Sequence, residues 1–283
     1  MQLIQIESRS AKPFLKWVGG KQQLLDQFAL LFPAHFHSYH EPFLGGGAVY
    51  FHLWSSNQIT GAAYLSDLNE ELVDTYLAVR NRVDDVIAIL RKHEANHSHD
   101  YYYHVRAADR KMHQLTQVEK AARLIYLNRT CYNGLYRVNR KGQFNVPIGS
   151  YQAPKIVFED TLRAASRALQ PANLHIRKFE SVLDYAQAGD FIYFDPPYVP
   201  ISKTASFTSY TLDSFSDENQ HQLAEVFGEL SRRGCYCMLS NSYSPLTLNL
   251  YRDYRIETVR AIRAVNSNGG ARGAINEVVV LNY

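Results

Sequence analysis

Asp195-Pro196-Pro197-Tyr198 follows directly on the apolar run Phe191 to Phe194. Two prolines cannot continue a central strand, because each lacks the N–H that a ladder needs. They stiffen a turn at the strand's carboxyl end, where α/β folds gather their ligands. The Asp195 carboxylate and the Pro196 carbonyl then face one spot, with the flat ring of Tyr198 beside them. Two such oxygens take the hydrogens of an NH2 group, and a tyrosine stacks on the planar ring that bears it. The chemistry implied is work on an aromatic amine; the alternative is a turn with no ligand.

A second constellation is Glu41-Pro42-Phe43-Leu44-Gly45-Gly46-Gly47, with Asp67 twenty residues beyond Gly47. Glycines after a strand let a ligand approach the backbone, and the N-terminus of the next helix favours polar or anionic groups. An acid at the end of the next strand meets a ribose hydroxyl in nucleotide-type sites. The full dinucleotide fingerprint is not met, since Tyr50 stands where the third glycine belongs. A third stretch, Lys16-Trp17-Val18-Gly19-Gly20-Lys21, fails as a P-loop. Gln22 replaces the Ser or Thr, and Leu15 the first glycine. Trp17 suits either an exposed contact or the core.

The elements that must carry these residues alternate. His37 to Phe43 reads as a strand, the glycines break it, and AVYFHLWSS reads as a helix. Ala62 to Ser66 is another short strand. This is the opening of a doubly wound sheet. Leu72, Tyr76, Val79, Val83, Val86 and Leu90 recur at helical steps in a region that stays helical to about Asn128. The stretch Tyr136 to Val146, with Arg140-Lys141-Gly142 at its centre, reads as a hairpin. Strands resume at Phe191–Phe194, Cys235–Ser240 and Glu277–Tyr283. The expected fold is α/β, a Rossmann-like doubly wound mixed sheet with an inserted, mostly helical domain carrying a β-hairpin. Residues 1–69 and 158–283 are expected to form the sheet domain and 70–157 the insert.

Charge is unevenly spread. The 283 residues carry a net +3, yet Tyr101 to Lys155 holds ten Lys/Arg (Arg106, Arg110, Lys111, Lys120, Arg123, Arg129, Arg137, Arg140, Lys141, Lys155) against Asp109 and Glu119. That segment is +8 and the remainder −5. A basic segment on an acidic body is the footprint of a polyanion binder, or a solvated helix face. Twenty tyrosines and fourteen phenylalanines suit either packing or stacking on flat ligands. Cys131, Cys235 and Cys237 make neither a disulfide framework nor a zinc finger, so no metal is expected. The N-terminus does not read as a signal peptide and no run is long enough to span a membrane, so a cytoplasmic location is expected. His35/His37/His40 and His93/His97/His99 read as surface histidines.

Phe43-x-Gly45-x-Gly47 and Asp195-Pro196-Pro197-Tyr198 together resemble the motifs of amino-group DNA methyltransferases that use S-adenosylmethionine. Their order, with the insert between, is that of the class whose target-recognition domain separates the two. Finer stretches resemble the Dam-like DNA adenine methyltransferases, which act on GATC, in particular those of restriction–modification systems. These are Phe14-Leu15-Lys16-Trp17 with Gly19-Gly20-Lys21, Asn128-Arg129 with Tyr132-Asn133-Gly134-Leu135, Gly142 to Pro147, and Ser267-Asn268-Gly269-Gly270. The resemblance runs from Phe14 to Tyr283. It implies methyl transfer from S-adenosylmethionine to adenine N6 in double-stranded DNA, with the base flipped out of the stack.

By the same resemblance, Trp17, Lys21, Phe43, Gly45, Gly47, Asp67 and Asp195 line the cofactor site. Asp195, Pro196, Pro197 and Tyr198 hold the adenine. Lys16, Arg129, Tyr132, Asn133, Leu135 and Arg137 meet the duplex, with Arg137 as the guanine reader and Tyr132 as the wedge. Ser150 stands where the family often has a basic residue. A cognate restriction endonuclease, acting separately, is a partner the resemblance allows. The rival readings are an N4-cytosine or RNA methyltransferase and a non-enzymatic DNA-binding protein on a decayed fold. Intact Asp67, Asp195 and Tyr198 oppose decay. A nicotinamide dehydrogenase is disfavoured by the missing glycine.

Overall fold

The computed structural model describes residues 10–199, 215–262 and 274–283. The Ser267–Gly270 stretch lies outside them. Seven strands form one sheet in the order β3-β2-β1-β4-β5-β7-β6. They are β1 (Tyr39–Glu41), β2 (Ala63–Asp67), β3 (Ala172–Ile176), β4 (Phe191–Phe194), β5 (Tyr236–Ser242), β6 (Arg255–Ile262) and β7 (Ala274–Leu281). Pairs from β3 through β5 are parallel, while β7 runs antiparallel between β5 and β6. The chain order reverses between β1 and β4, which opens a crevice at their carboxyl ends.

The central strands β1, β4 and β5 are buried almost throughout because both faces are covered, and β4 is apolar at every position. Alternate residues enter two cores. Phe191, Tyr193 and Met238 lie in one; Ile192, Phe194, Cys237 and Leu239 lie in the other. The helices are α1 (Leu25–Phe28), α2 (Ala48–Ser55), α3 (Glu70–Ala95), α4 (His99–Ala107), α5 (Gln117–Thr130), α6 (Glu159–Leu169), α7 (Asp217–Arg232) and α8 (Pro245–Leu250). Asn69 caps α3 by accepting from Leu72 N at 3.1 Å, and Thr116 with Glu119 forms a capping box on α5. Of the helical-period residues, Leu72, Tyr76, Val79, Val86 and Leu90 are buried, and α3 packs on β2, β3, α5 and α6. Arg82 breaks its helical geometry (φ −141°, ψ 40°). Tyr76 and Tyr126 therefore share one core with Leu65 and Phe191 of the sheet.

Several expectations change. β3 and β6 were not read from the sequence, because polar residues interrupt both. The Tyr136–Val146 hairpin is short: Val138 and Phe144 make a single antiparallel bridge, closed by Asn139 N to Gln143 O at 2.8 Å. His40 is not on the surface. It lies in β1 at 1% exposure, stacked on Tyr64 and bonded through Nε2 to Asp190 at 2.9 Å. His93 and His97 are half-buried, with Nδ1 against the hydroxyls of Tyr101 and Tyr126. Desolvation pushes the His93 pKa down to about 4. His35, His37 and His99 are exposed as expected. Among the described residues no helix is long and apolar enough to cross a membrane.

Candidate active site

β1 ends at Glu41 and β4 at Phe194, so the glycine turn and the Asp-Pro-Pro-Tyr turn rise side by side at the switch point. Gly45 and Gly47 take φ of 47° and 65°, the left-handed region that glycine tolerates. A Cβ on Gly45 would stand 3.0 Å from the Trp17 ring. The turn is therefore packed tightly beneath Trp17, which is half-buried and stacks on Tyr136 with centroids 5.3 Å apart. Gly45 is held at both ends of its peptide links. Its N–H donates to Asp67 Oδ2 at 3.0 Å, and its carbonyl accepts from Tyr76 Oη at 3.1 Å. Asp67 Oδ1 accepts from Asn69 N at 2.9 Å. Burial raises the Asp67 carboxyl, and N–H donors at Asn69, Gly45 and Leu68 draw it back. Asp67 thus braces the glycine turn, and with three N–H donors on its carboxylate it keeps room for one more. Phe43 stacks on Phe179 at 5.4 Å.

Lys21, distant in sequence, enters from the other side. It is 4% exposed, and its ammonium sits 2.8 Å from Asp195 Oδ1 and 4.8 Å from the centre of the Tyr198 ring. Burial raises the Asp195 carboxyl, and the Lys21 charge is the largest opposing influence. The Asp195 carboxylate thus already binds one N–H donor against the tyrosine face. Tyr198 donates its hydroxyl to Glu277 at 2.7 Å. Pro197 offers its carbonyl to Gln220 Nε2 at 3.0 Å. Neither Glu277 nor Gln220 was singled out in the sequence, and no local pattern marks them. Both come from elements that meet the turn only in the fold.

These residues fit S-adenosylmethionine by donor type. The group carries an ammonium, a carboxylate, a sulfonium and a ribose diol. The site sets out the carboxylates of Asp195 and Asp67, the Lys21 cation and a glycine turn at the start of α2. In the cradle beneath Trp17, a side chain at Gly45 would press on the indole and strain the backbone at φ 47°.

The residues expected to face the duplex split. Tyr132 is 49% exposed, and Asn133 is exposed with φ 55°. Lys16 is exposed, its ammonium 5.1 Å above the Tyr151 ring. Asn128, buried, binds both the N–H and the carbonyl of Lys16 and the carbonyl of Gly134, so it joins these two segments. Leu135 is half-buried against the core. Arg137 turns across its hairpin, with Nε 2.6 Å from Asn145 Oδ1. Arg129, expected at the duplex, is half-buried. It donates to Phe14 O at 2.6 Å and lies 4.4 Å over the Phe158 ring. Arg123, counted in the basic footprint, is 2% exposed and pairs with Glu71 at 2.9 Å and Asp109 at 3.0 Å. The Arg123 charge is satisfied inside the protein, whereas Arg129 has no carboxylate partner among the described residues and its Nε is buried without an acceptor. Arg110, Lys111, Arg140, Lys141 and Lys155 remain exposed.

Comparison with known proteins adds the activity. Residues 17–265 match the family described as D12 class N6 adenine-specific DNA methyltransferase. The Type II methyltransferase M1.LlaDCHI of Lactococcus lactis subsp. cremoris is 41% identical over 287 residues, covering 100% of this chain and 99% of that protein. The Type II methyltransferase M.MjaIII of Methanocaldococcus jannaschii is 42% identical, covering 96% and 99%. The DNA adenine methylase of Escherichia coli (strain K12) is 34% identical, covering 95% of each. The family match spans the two turns at the switch point and the helical segment between them, so the chain belongs to the D12 class of N6 adenine-specific DNA methyltransferases.

Proposed function

We propose that the chain methylates N6 of adenine within GATC in double-stranded DNA, using S-adenosylmethionine and a base flipped into the Asp195–Tyr198 turn. The observation that carries this reading is the Lys21 ammonium 2.8 Å from Asp195 and over the Tyr198 ring. A carboxylate that holds an N–H donor against an aromatic face suits the amino group of a flipped base.

Trp17, Lys21, Phe43, Gly45, Gly47, Asp67 and Asp195 would hold S-adenosylmethionine, which supplies an activated methyl group on a sulfonium. Asp195 and the Pro196 carbonyl accept the two N6 hydrogens. They draw the nitrogen lone pair out of ring conjugation and favour positive charge as it develops. Tyr198 stacks on the base and offsets part of the few kcal/mol that flipping costs. Asp195 lies where the departing proton leaves, and its raised affinity for protons helps it accept one. The turn aligns the nitrogen for direct, in-line attack, and alignment of this kind is worth several kcal/mol.

Residues 70–157 serve as the recognition segment. A guanidinium has two forks; Asn145 engages the one at Nε and Nη2, which leaves the Nη1/Nη2 fork for guanine O6 and N7. Exposed Tyr132 suits the wedge that fills the vacated stack. The likeness to two Type II methyltransferases supports a role in restriction–modification, with the partner endonuclease acting separately.

The test is to incubate unmethylated plasmid DNA with the protein and S-adenosylmethionine and to sequence the modified bases. N6-methyladenine confined to GATC is expected. Methyladenine in another sequence would refute the specificity, and methylcytosine would refute the reading of the amine.

A further inference from the structure

We infer that Gln220 and Asn241 are positioning residues for methyl transfer: a buried amide pair that holds the Asp195–Tyr198 turn in its working shape. The inference rests on the reading of that turn as the seat of the target amine.

The turn has little means of fixing itself. Pro196 and Pro197 have no N–H, so internal backbone bonds are scarce and the shape must be imposed from outside. Beside the Lys21–Asp195 pair and the Tyr198–Glu277 bond, three contacts hold its backbone. Gln220 Nε2 donates to Pro197 O at 3.0 Å, Val199 N donates to Asn241 Oδ1 at 3.2 Å, and Ser242 Oγ donates to Val199 O at 2.8 Å. Asn241 Nδ2 donates to Gln220 Oε1 at 3.0 Å and joins the first two contacts. Gln220, Asn241 and Ser242 are exposed by only 1%, 0% and 2%.

The polarity of this pair admits one arrangement. Asn241 Oδ1 takes two backbone donors, Val199 N and Ser242 N at 2.8 Å, so it must be the oxygen. Its nitrogen then faces Gln220, whose oxygen accepts, and the Gln220 nitrogen is left for the Pro197 carbonyl. Turning either amide over would set acceptor against acceptor or donor against donor. Asn241 stands in β5, which pairs with β4, and Gln220 lies in the first turns of α7, so the pair ties the turn to two rigid elements. A buried network with every partner supplied rigidifies what it touches. Here it touches the carbonyl two residues after Asp195 and both polar groups of Val199, next to Tyr198.

The test is single-turnover methyl transfer to duplex DNA at saturating S-adenosylmethionine, with competent sites counted by S-adenosylmethionine titration. Wild type, Gln220→Met, Gln220→Glu and Asp195→Asn are compared. Gln220→Met is expected to transfer about tenfold to a hundredfold more slowly per competent site, since misplacement by an ångström costs about that much. Its affinity for S-adenosylmethionine and DNA should stay near wild type. A role in stability alone would lower the number of sites and leave the rate per site intact. Gln220→Glu can donate to Pro197 only when protonated, so its rate relative to wild type should climb as pH falls. This ratio decides the matter if Gln220→Met fails to fold. A wild-type rate per site in Gln220→Met, or a ratio flat with pH in Gln220→Glu, overturns the positioning role. If Asp195→Asn has lost transfer in the same experiment, the clamp alone falls. Wild-type transfer by Asp195→Asn overturns the seat of the amine and the clamp with it.

Discussion

Glu41 ends β1 with its carboxyl 2% exposed, accepting from Tyr39 Oη at 2.8 Å. Burial pushes its pKa up to about 8. The Tyr39 bond opposes this, the Asp195 charge adds to it, and the Lys21 charge opposes it. The ordinary value for the unfolded chain is near 4.5. Below that pH both states are protonated and nothing is lost. As pH rises from there to about 8 the unfolded state sheds a proton that the folded state keeps, so stability falls across this window and levels above it. Glu41→Gln keeps an acceptor for Tyr39 and cannot ionise. The variant should gain on wild type by a few kcal/mol between pH 5 and 9, on the order of what such a shift represents. Urea unfolding at several pH values checks this. Parallel curves for the two proteins would mean that Glu41 ionises in the folded state as freely as in water.

At the scale of elements, Arg123 of α5 ties the helical segment to the hairpin. Its guanidinium binds Glu71 of α3, Asp109, and the carbonyls of Val105 and Arg106. Glu71 also accepts from Tyr136 Oη at 3.1 Å, and Asp109 from Phe144 N at 2.7 Å. Tyr136 in turn stacks on Trp17, which covers the glycine turn. Removing the cation leaves the Glu71 carboxylate without its ion pair and Asp109 paired with Arg110 alone. Arg123→Ala should destabilise the protein by about 3–5 kcal/mol, the usual result of breaking a buried pair from one side. The denaturant midpoint reads this. A loss below about 1 kcal/mol would place the network among surface ion pairs in energetic terms.

Over the whole molecule, a net charge of +3 hides a group of exposed cations, most of them between residues 101 and 155. Lys16, Arg110, Lys111, Arg140, Lys141 and Lys155 are exposed, whereas Arg123 is buried and Arg129 half-buried. Contacts to phosphate and contacts to bases should respond differently. Lys141→Ala is expected to weaken binding to all duplexes alike and to reduce the salt slope by about one unit. Arg137→Ala should relax discrimination at a single guanine, worth about 1–3 kcal/mol, and leave binding to unrelated DNA nearly unchanged. Methylation rates on GATC and its single-base variants, over a range of salt, separate the two. A uniform slowing in Arg137→Ala would make Arg137 a backbone contact.

What the sequence by itself determined is what depends on neighbours along the chain. Phe191 to Phe194 is a strand buried on both faces, and two prolines must end it; the Asp195–Tyr198 turn follows from those residues alone. The glycines after β1, the acid at the end of β2 and the period of α3 are local in the same sense. β3 and β6 escaped because strands with polar residues on one face resemble loops until a partner pairs with them. Only the tertiary structure decided where charges and amides find partners. It brought Lys21 to Asp195 across 174 residues, sank His40 onto Asp190, and turned Arg123 and Arg129 inward. It also set Gln220 against Asn241. Burying a polar group is costly unless a donor or acceptor meets it, and that partner comes from whichever element packs there. A residue's type announces the need for a partner, and the fold alone supplies one.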